Sequence, residues 1–167
     1  MSATEPRWLD EEQTKAWIAL SAVLVELPTA LDAQLQRDSG ISHVDYQVLS
    51  WLSMTPGRAA RMSQIAEMAK VSLSHLSRIA ARLERQGWLR RTPDPHDGRA
   101  TLAVLTEAGW DKVVAAAPGH VEEVQRLVFD NLTPAQVRQL ESIGHRVLNG
   151  VRPGFSLRLP TASPPAD

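Results

Sequence analysis

The stretch from Met62 to Leu105 decides the fold of this chain, and it reads MSQIAEMAKVSLSHLSRIAARLERQGWLRRTPDPHDGRATLAVL. Its first half repeats apolar residues at helical spacing in two short segments, and Gly87 ends the second one. Its second half has two strand-like runs, Trp88–Arg91 and Thr101–Leu105, which flank an Asp97-Gly98 turn signal. The order helix, turn, helix, hairpin predicts a winged helix-turn-helix over residues 41–105.

Long amphipathic segments flank this unit on both sides. Residues 8–38 and 106–148 place apolar side chains every three or four positions, which predicts helices. Pro28 and the pair Pro118-Gly119 lie inside these segments, so we expect a kink or a break in each helix. The chain is therefore predicted to be mainly α, and residues 149–167, rich in Pro, Gly, Ser and Ala, are predicted to form a flexible tail.

Charge is distributed unevenly along the chain. Residues 58–99 carry nine Arg and Lys against four acids, whereas the remaining residues carry nine bases and fifteen acids. A basic segment suits a polyanion such as double-stranded DNA, with a merely solvated basic face as the open alternative. The chain has no cysteine, and we expect no apolar run that spans a bilayer. These features favour a cytoplasmic protein with no membrane partner.

Patterns that indicate catalysis or metal binding are missing. The sequence has no nucleotide-binding glycine loop, no cysteine nucleophile, and no serine, histidine and acid set in a recognisable local context. Its five histidines lack the spacing of metal ligands. We predict that the chain is not an enzyme and that it uses no cofactor and no metal.

The second helix of a helix-turn-helix lies in the major groove, so its outward side chains should be able to exchange hydrogen bonds with DNA. The candidate contacts on this helix are Ser72, Ser74, His75, Ser77, Arg78 and Arg82. The hairpin offers two more. Arg99 can place a guanidinium in the adjacent minor groove, and His96 at the tip can touch a phosphate.

Three motifs follow one another in a fixed order. They are Met62-Ser63-Gln64-Ile65-Ala66, then Ser72-x-Ser74-x-x-Ser77-Arg78-x-x-x-Arg82-Leu83-Glu84-x-x-Gly87-Trp88-Leu89, then Asp97-x-Arg99 followed by Leu105-Thr106-x-x-Gly109. In this order they resemble the MarR (multiple antibiotic resistance regulator) family of winged helix-turn-helix transcriptional regulators. The resemblance covers about residues 10–148.

The resemblance implies a DNA-binding repressor that binds a pseudo-palindromic operator as a homodimer, with residues 8–38 and 106–148 as the dimerisation region. It also implies release by a small aromatic or anionic ligand. Trp17, His43, Tyr46 and Trp51 are the candidate pocket residues, and packing in a filled core is their open alternative. Another function also stays open: a winged-helix protein used for protein assembly or for non-specific architectural DNA binding.

Overall fold

The computed structural model describes residues 5–154, most of which are helical. Its elements follow in the order α1 (Glu11–Ser39), α2 (His43–Ser53), β1 (Ala59–Arg61), α3 (Met62–Ala69), α4 (Leu73–Arg85), β2 (Leu89–Asp94), β3 (Asp97–Leu105), α5 (Glu107–Leu127) and α6 (Pro134–Val151). A short 3-10 turn precedes β1 and another precedes α6. The mainly α winged helix-turn-helix is confirmed.

The sheet has three antiparallel strands in the order β1-β3-β2. Strand β1 pairs Ala60 with Ala103 of β3, and the sequence did not reveal it. Three residues are too short to show the alternation of apolar and polar side chains by which a strand is recognised. This strand fixes the hairpin against the start of α3, which follows β1 directly.

The hairpin is confirmed, but its predicted turn was wrong. Pro95 and His96 connect the two strands, while Asp97 and Gly98 are the first residues of β3. The carboxylate of Asp94 accepts a hydrogen bond from the His96 amide at 2.8 Å and so closes the turn two residues before the Asp-Gly pair.

Both proline-containing helices are continuous, so of the kink or break expected at Pro28 and at Pro118, the break does not occur. The two helices pack against each other. Gly119 lies at this contact, because a Cβ built on it would be 3.4 Å from Nε2 of Gln34. Tertiary packing along α1 and α5 thus offsets the cost of proline in a helix, which is about 3 kcal/mol.

One hydrophobic core lies among α2, α3, α4 and the hairpin. Its largest fully buried side chains include Leu49, Leu52, Ile65, Leu76, Ile79, Leu83 and Leu89. The core continues through Leu35 of α1 and through Val113 and Ala116 of α5. The helix-turn-helix therefore packs against the C-terminal turns of α1 and the first half of α5.

The ends of the long helices are different, because their apolar side chains are uncovered. Helix α6 has no buried residue, and α1 exposes Trp17, Ile18 and Leu24. Helix α6 reaches Val151, three residues into the segment predicted to be a tail, and residues 155–167 of that tail lie outside the described residues.

Helix α1 is also long and apolar enough to cross a membrane, judged by length and composition alone. Its mean hydropathy is 1.5 in the best 18-residue window, of which 6% is buried. The expectation that no such run exists was therefore wrong. Core helices and signal sequences can have the same length and composition, and α1 packs against α2 and α5, so α1 is not assigned to a membrane.

Candidate nucleic-acid interface

Helix α4 is held in place by one apolar face. Leu76, Ile79, Ala80 and Leu83 are each at most 1% exposed. Both helix ends are capped: Ser72 Oγ accepts a hydrogen bond from the His75 amide, and the Trp88 amide donates to the Leu83 carbonyl beyond Gly87. Because its core face and its ends are fixed, the opposite face of α4 has a defined orientation.

That opposite face is polar. Ser74, His75 and Arg78 are exposed, and Ser77 is half-buried. Ser74, Ser77 and Arg78 are three and four residues apart, so they lie on one side of the helix. Ser72 Oγ and Ser74 Oγ are 3.0 Å apart and share a hydrogen bond. These hydroxyl and guanidinium groups can donate to phosphates and base edges, and the assignment of DNA contacts to them stays a prediction.

Arg82, one of the predicted DNA contacts, forms an ion pair within the chain. Its Nε donates to Oδ2 of Asp45 at 3.0 Å, and its Nη2 donates to Oδ1 of the same carboxylate. Asp45 is buried in α2, and its hydrogen bonds raise the pKa of Arg82. The pair joins α4 to α2. Periodicity could not reveal it, because the two residues are 37 positions apart.

Arg61 connects the wing to the helices through two aspartates, and no sequence pattern predicted this role. Its Nε donates to Oδ2 of Asp94 at 2.7 Å, and its Nη1 lies 3.6 Å from Oδ2 of Asp97. Asp94 is buried and also accepts from the His96 amide, and these bonds lower the pKa of Asp94. Arg61 thus connects the start of α3 to the hairpin turn.

Arg99 and His96, the two predicted wing contacts, are both exposed. The Arg99 amide donates to Oδ1 of Asp97 at 3.2 Å, so the Asp97 carboxylate holds the backbone at the start of β3. Arg99 lines a groove of about 430 Å³ between the wing and α4, together with Ser77 and Leu73. The groove therefore lies between the two elements that were predicted to contact DNA.

The arginines of residues 61–99 fall into two groups. Arg61, Arg82 and Arg91 are in ion pairs, the last with Glu84, whose pKa is lowered by the guanidinium. Within residues 5–154, no ion pair involves the side chains of Arg78, Arg85, Arg90 or Arg99. The unpaired group can bind an external anion without losing an internal partner.

The Leu105-Thr106-x-x-Gly109 motif joins the wing to α5. Thr106 Oγ1 accepts from the Gly109 amide at 3.0 Å and donates to the Gly87 carbonyl at 2.6 Å. A Cβ on Gly109 would overlap the carbonyl oxygen of Trp88. Glycine is therefore required where α5 begins beside the end of α4.

Only part of the predicted ligand pocket is brought together. His43 and Tyr46 pack near His120, with ring centroids 5.8 Å and 4.6 Å from it. Trp51 is half-buried, but Trp17 is 58% exposed. Trp17 lies fifteen residues before Asp32, whose carboxylate accepts from the His43 amide, so about 22 Å of helix separates it from the cluster. Trp17 is therefore no part of a pocket with His43 in one chain.

His120 completes this cluster and was not predicted. Burial lowers the pKa of both His43 and His120, with Asp32 opposing the shift at His43 and His43 adding to the shift at His120. Among residues 5–154, the buried atoms Nδ1 of His120 and Oε1 of Gln34 have no hydrogen-bond partner. Across residues 5–154, no group of three or more His, Asp or Glu side chains is placed to hold a metal ion.

Comparison with known proteins shows what this chain is similar to. The family profile described as MarR family matches residues 39–100. The crystal structure of Sco3205, a MarR family transcriptional regulator from Streptomyces coelicolor in complex with DNA, is 42% identical, with a TM-score of 0.84 over 93% of this chain and 98% of that one. AbsC, a MarR family regulator from the same organism, is 33% identical with a TM-score of 0.83, covering 88% and 99%.

Among curated relatives, the uncharacterized HTH-type transcriptional regulator YdcH of Bacillus subtilis is 29% identical over 91 residues. That match covers 53% of this chain and 61% of YdcH, which is less than two thirds of the relative's length. The Streptomyces regulators, in contrast, match along nearly their whole length at 33% identity or more. This chain belongs to the MarR family of DNA-binding transcriptional regulators.

Proposed function

We propose that this chain acts in the cytoplasm as a homodimeric repressor that binds a pseudo-palindromic operator and is released by a small-molecule ligand. The observation that carries the proposal is the set of unpaired guanidinium groups beside the exposed polar face of α4. Arg78 is exposed on the helix beside Ser77 in sequence, and Arg99 of the wing lines a groove together with Ser77. One half-site can thus be contacted in two adjacent grooves.

Base recognition falls to α4 in this proposal. Arg78 can donate two hydrogen bonds to the O6 and N7 atoms of a guanine, and Ser74 can donate to or accept from a base edge. Arg99 enters the adjacent minor groove, which is most electronegative where it is narrow over A·T-rich sequence. Arg85 and Arg90, both exposed, supply phosphate contacts that add affinity without direct sequence reading.

The uncovered apolar surface supports dimerisation. Leu140, Ile143 and Val147 of α6 are 47%, 57% and 48% exposed and recur at helical spacing. They continue into a groove of about 540 Å³ that Val23 of α1 and Leu140 line together. Contiguous apolar surface of this kind marks an interface. A second copy of the chain would cover it and place a second α4 about one DNA turn away, roughly 34–36 Å.

The cluster of His43, Tyr46 and His120 supports ligand release. It lies where α2 of the DNA-binding unit meets α1 and α5 of the helical region, and it contains the unpartnered His120 Nδ1. A small aromatic or anionic molecule bound there would favour one relative position of the two regions. It would release the operator if that position separates the two α4 helices from their half-sites.

The test starts with operators selected by the full-length protein from a random duplex library. Specific binding should exceed binding to random DNA by about 10³-fold or more at physiological salt. Arg78→Ala and Arg99→Ala should each cost about 1–3 kcal/mol of binding free energy, whereas Arg138→Ala on α6 should cost nothing. Equal affinity for selected and random DNA would overturn the proposal in favour of non-specific architectural binding.

Repression and release need separate measurements. A promoter containing the selected operator should be silenced by the protein in a reporter assay. A panel of simple aromatic carboxylates such as benzoate should include compounds that weaken operator binding. Replacing His120 by Ala should abolish that response without weakening operator binding in the ligand's absence. Activation of the reporter, or a response unchanged in His120→Ala, would contradict this part of the proposal.

A further inference from the structure

Helix α4 has one side chain that its division into a buried and a polar face does not explain. Leu76, Ile79, Ala80 and Leu83 are buried, but Leu73, at the first position of the helix, is 55% exposed. A single exposed leucine on a protein surface is ordinary and needs no explanation. Leu73 is different because it lies in the first turn of α4, the part of the helix that is proposed to contact DNA.

Leu73 faces into the groove between α4 and the wing. It lines this groove together with Ser77, one turn further along α4, and with Arg99 and Thr101 of β3. Residues in the first turns of such a helix are the ones that reach base edges. Leu73 is therefore placed between the helix contacts and the wing contact of the proposed interface, outside the apolar surface of α1 and α6.

A leucine can read only one feature of the major groove. It cannot donate or accept a hydrogen bond, and the only apolar group that the base pairs present there is the C5-methyl group of thymine. Against a cytosine amino group or a guanine O6, the same side chain would remove water and supply no partner, which is unfavourable. Its chemistry thus discriminates between base pairs.

We propose that Leu73 is a specificity-determining residue that contacts a thymine methyl group in each half-site of the operator. This inference rests on the function proposed above. The neighbouring Ser74 and Arg78 then read polar base edges, while Leu73 selects the position that carries the methyl group.

The test uses deoxyuridine in place of thymidine, because this change removes the methyl group and leaves base pairing intact. Each thymidine of a selected operator is replaced in turn, symmetrically in both half-sites. We expect one position at which the change weakens wild-type binding by about fourfold per half-site, because a methyl group is no longer buried there. At that position, Leu73→Ala should respond less than twofold. Ser74→Ala should keep the full wild-type response.

Two kinds of result would contradict the role of Leu73. A wild-type protein that is insensitive to deoxyuridine at every position, or a Leu73→Ala variant as sensitive as wild type, overturns it while specific operator binding still stands. Equal binding of selected and random DNA by the wild type overturns the proposed function and this inference with it. Leu73 is exposed, so Leu73→Ala should fold, and its unfolding curve verifies this.

Discussion

The DNA-binding unit and the long helices differ in how much of their apolar surface is buried within one chain. In the unit of α3, α4 and the hairpin, Ile65, Leu76 and Leu83 are almost completely buried within the chain. In α1 and α6, Trp17 and Ile143 are more than half exposed. The core of the DNA-binding unit is covered within one chain, with Leu35 of α1 and Val113 of α5 contributing to it. The apolar faces of α1 and α6 stay uncovered in one chain, as the proposed dimer requires.

The largest effect should come from a charge on the uncovered face. Ile143→Asp would place a carboxylate in the proposed interface twice, once from each subunit, and burying an unpaired charge is costly. We expect the dimer dissociation constant, measured by sedimentation over a concentration series, to rise at least about a hundredfold. Operator affinity should fall with it. The control Ser142→Asp lies on the opposite side of α6 and should leave both unchanged; a stable Ile143→Asp dimer would refute the assigned face.

The second largest effect should come from a substitution at Gly109, where the wing meets the start of α5. Gly109→Ala places a methyl group on the Trp88 carbonyl, a backbone atom that cannot rotate away. We expect the free energy of unfolding in urea to fall by about 1–3 kcal/mol. Gly150→Ala is the matched control in α6, because no atom of the described residues lies within 4 Å of its Cβ position. It should be neutral or stabilise by up to about 1 kcal/mol, and equal losses in the two variants would contradict the packing argument.

Within the DNA-binding unit, Arg82 and Arg78 should separate stability from binding. Arg82→Ala leaves the buried Asp45 carboxylate without its guanidinium and should lower the free energy of unfolding by about 1–2 kcal/mol. Arg78→Ala should leave stability unchanged but weaken operator binding. If Arg78 contacts a phosphate rather than a base, the Arg78→Ala variant should also reduce the slope of log affinity against log salt concentration by about one. An Arg82→Ala variant that is fully stable would contradict the structural role of the Arg82–Asp45 pair.

The smallest effect should be a dependence of stability on pH. Burial lowers the pKa values of His43 and His120 below 6.5, so the unfolded chain binds these protons at higher pH than the folded chain. The free energy of unfolding should therefore fall as the pH falls from about 7 to about 5. The double variant His43→Asn, His120→Asn should lose this part of the pH profile. An identical profile in wild type and variant would exclude the two histidines as its source.

Much of the site could be predicted from local patterns. Serine and threonine favour helix N-caps, and the side-chain oxygens of Ser72, Thr106 and Thr133 each accept a hydrogen bond from the amide three residues later. Such bonds depend only on neighbours in the chain. The hairpin was predicted but its turn was misplaced, because the carboxylate of Asp94 competed with the Asp-Gly pair. The Arg82–Asp45 pair lay beyond any local pattern, and so Arg82 was assigned to DNA.

The sequence by itself determined the order of the elements, the capped ends of their helices and the polar face of α4. Each of these follows from the spacing of residues within one or two turns. The tertiary structure decided which arginines are paired, that α1 and α5 continue through Pro28 and Pro118, that Leu73 faces the groove, and that Trp17 is remote from His43. Those outcomes depend on contacts between distant segments, where packing energies outweigh local preferences.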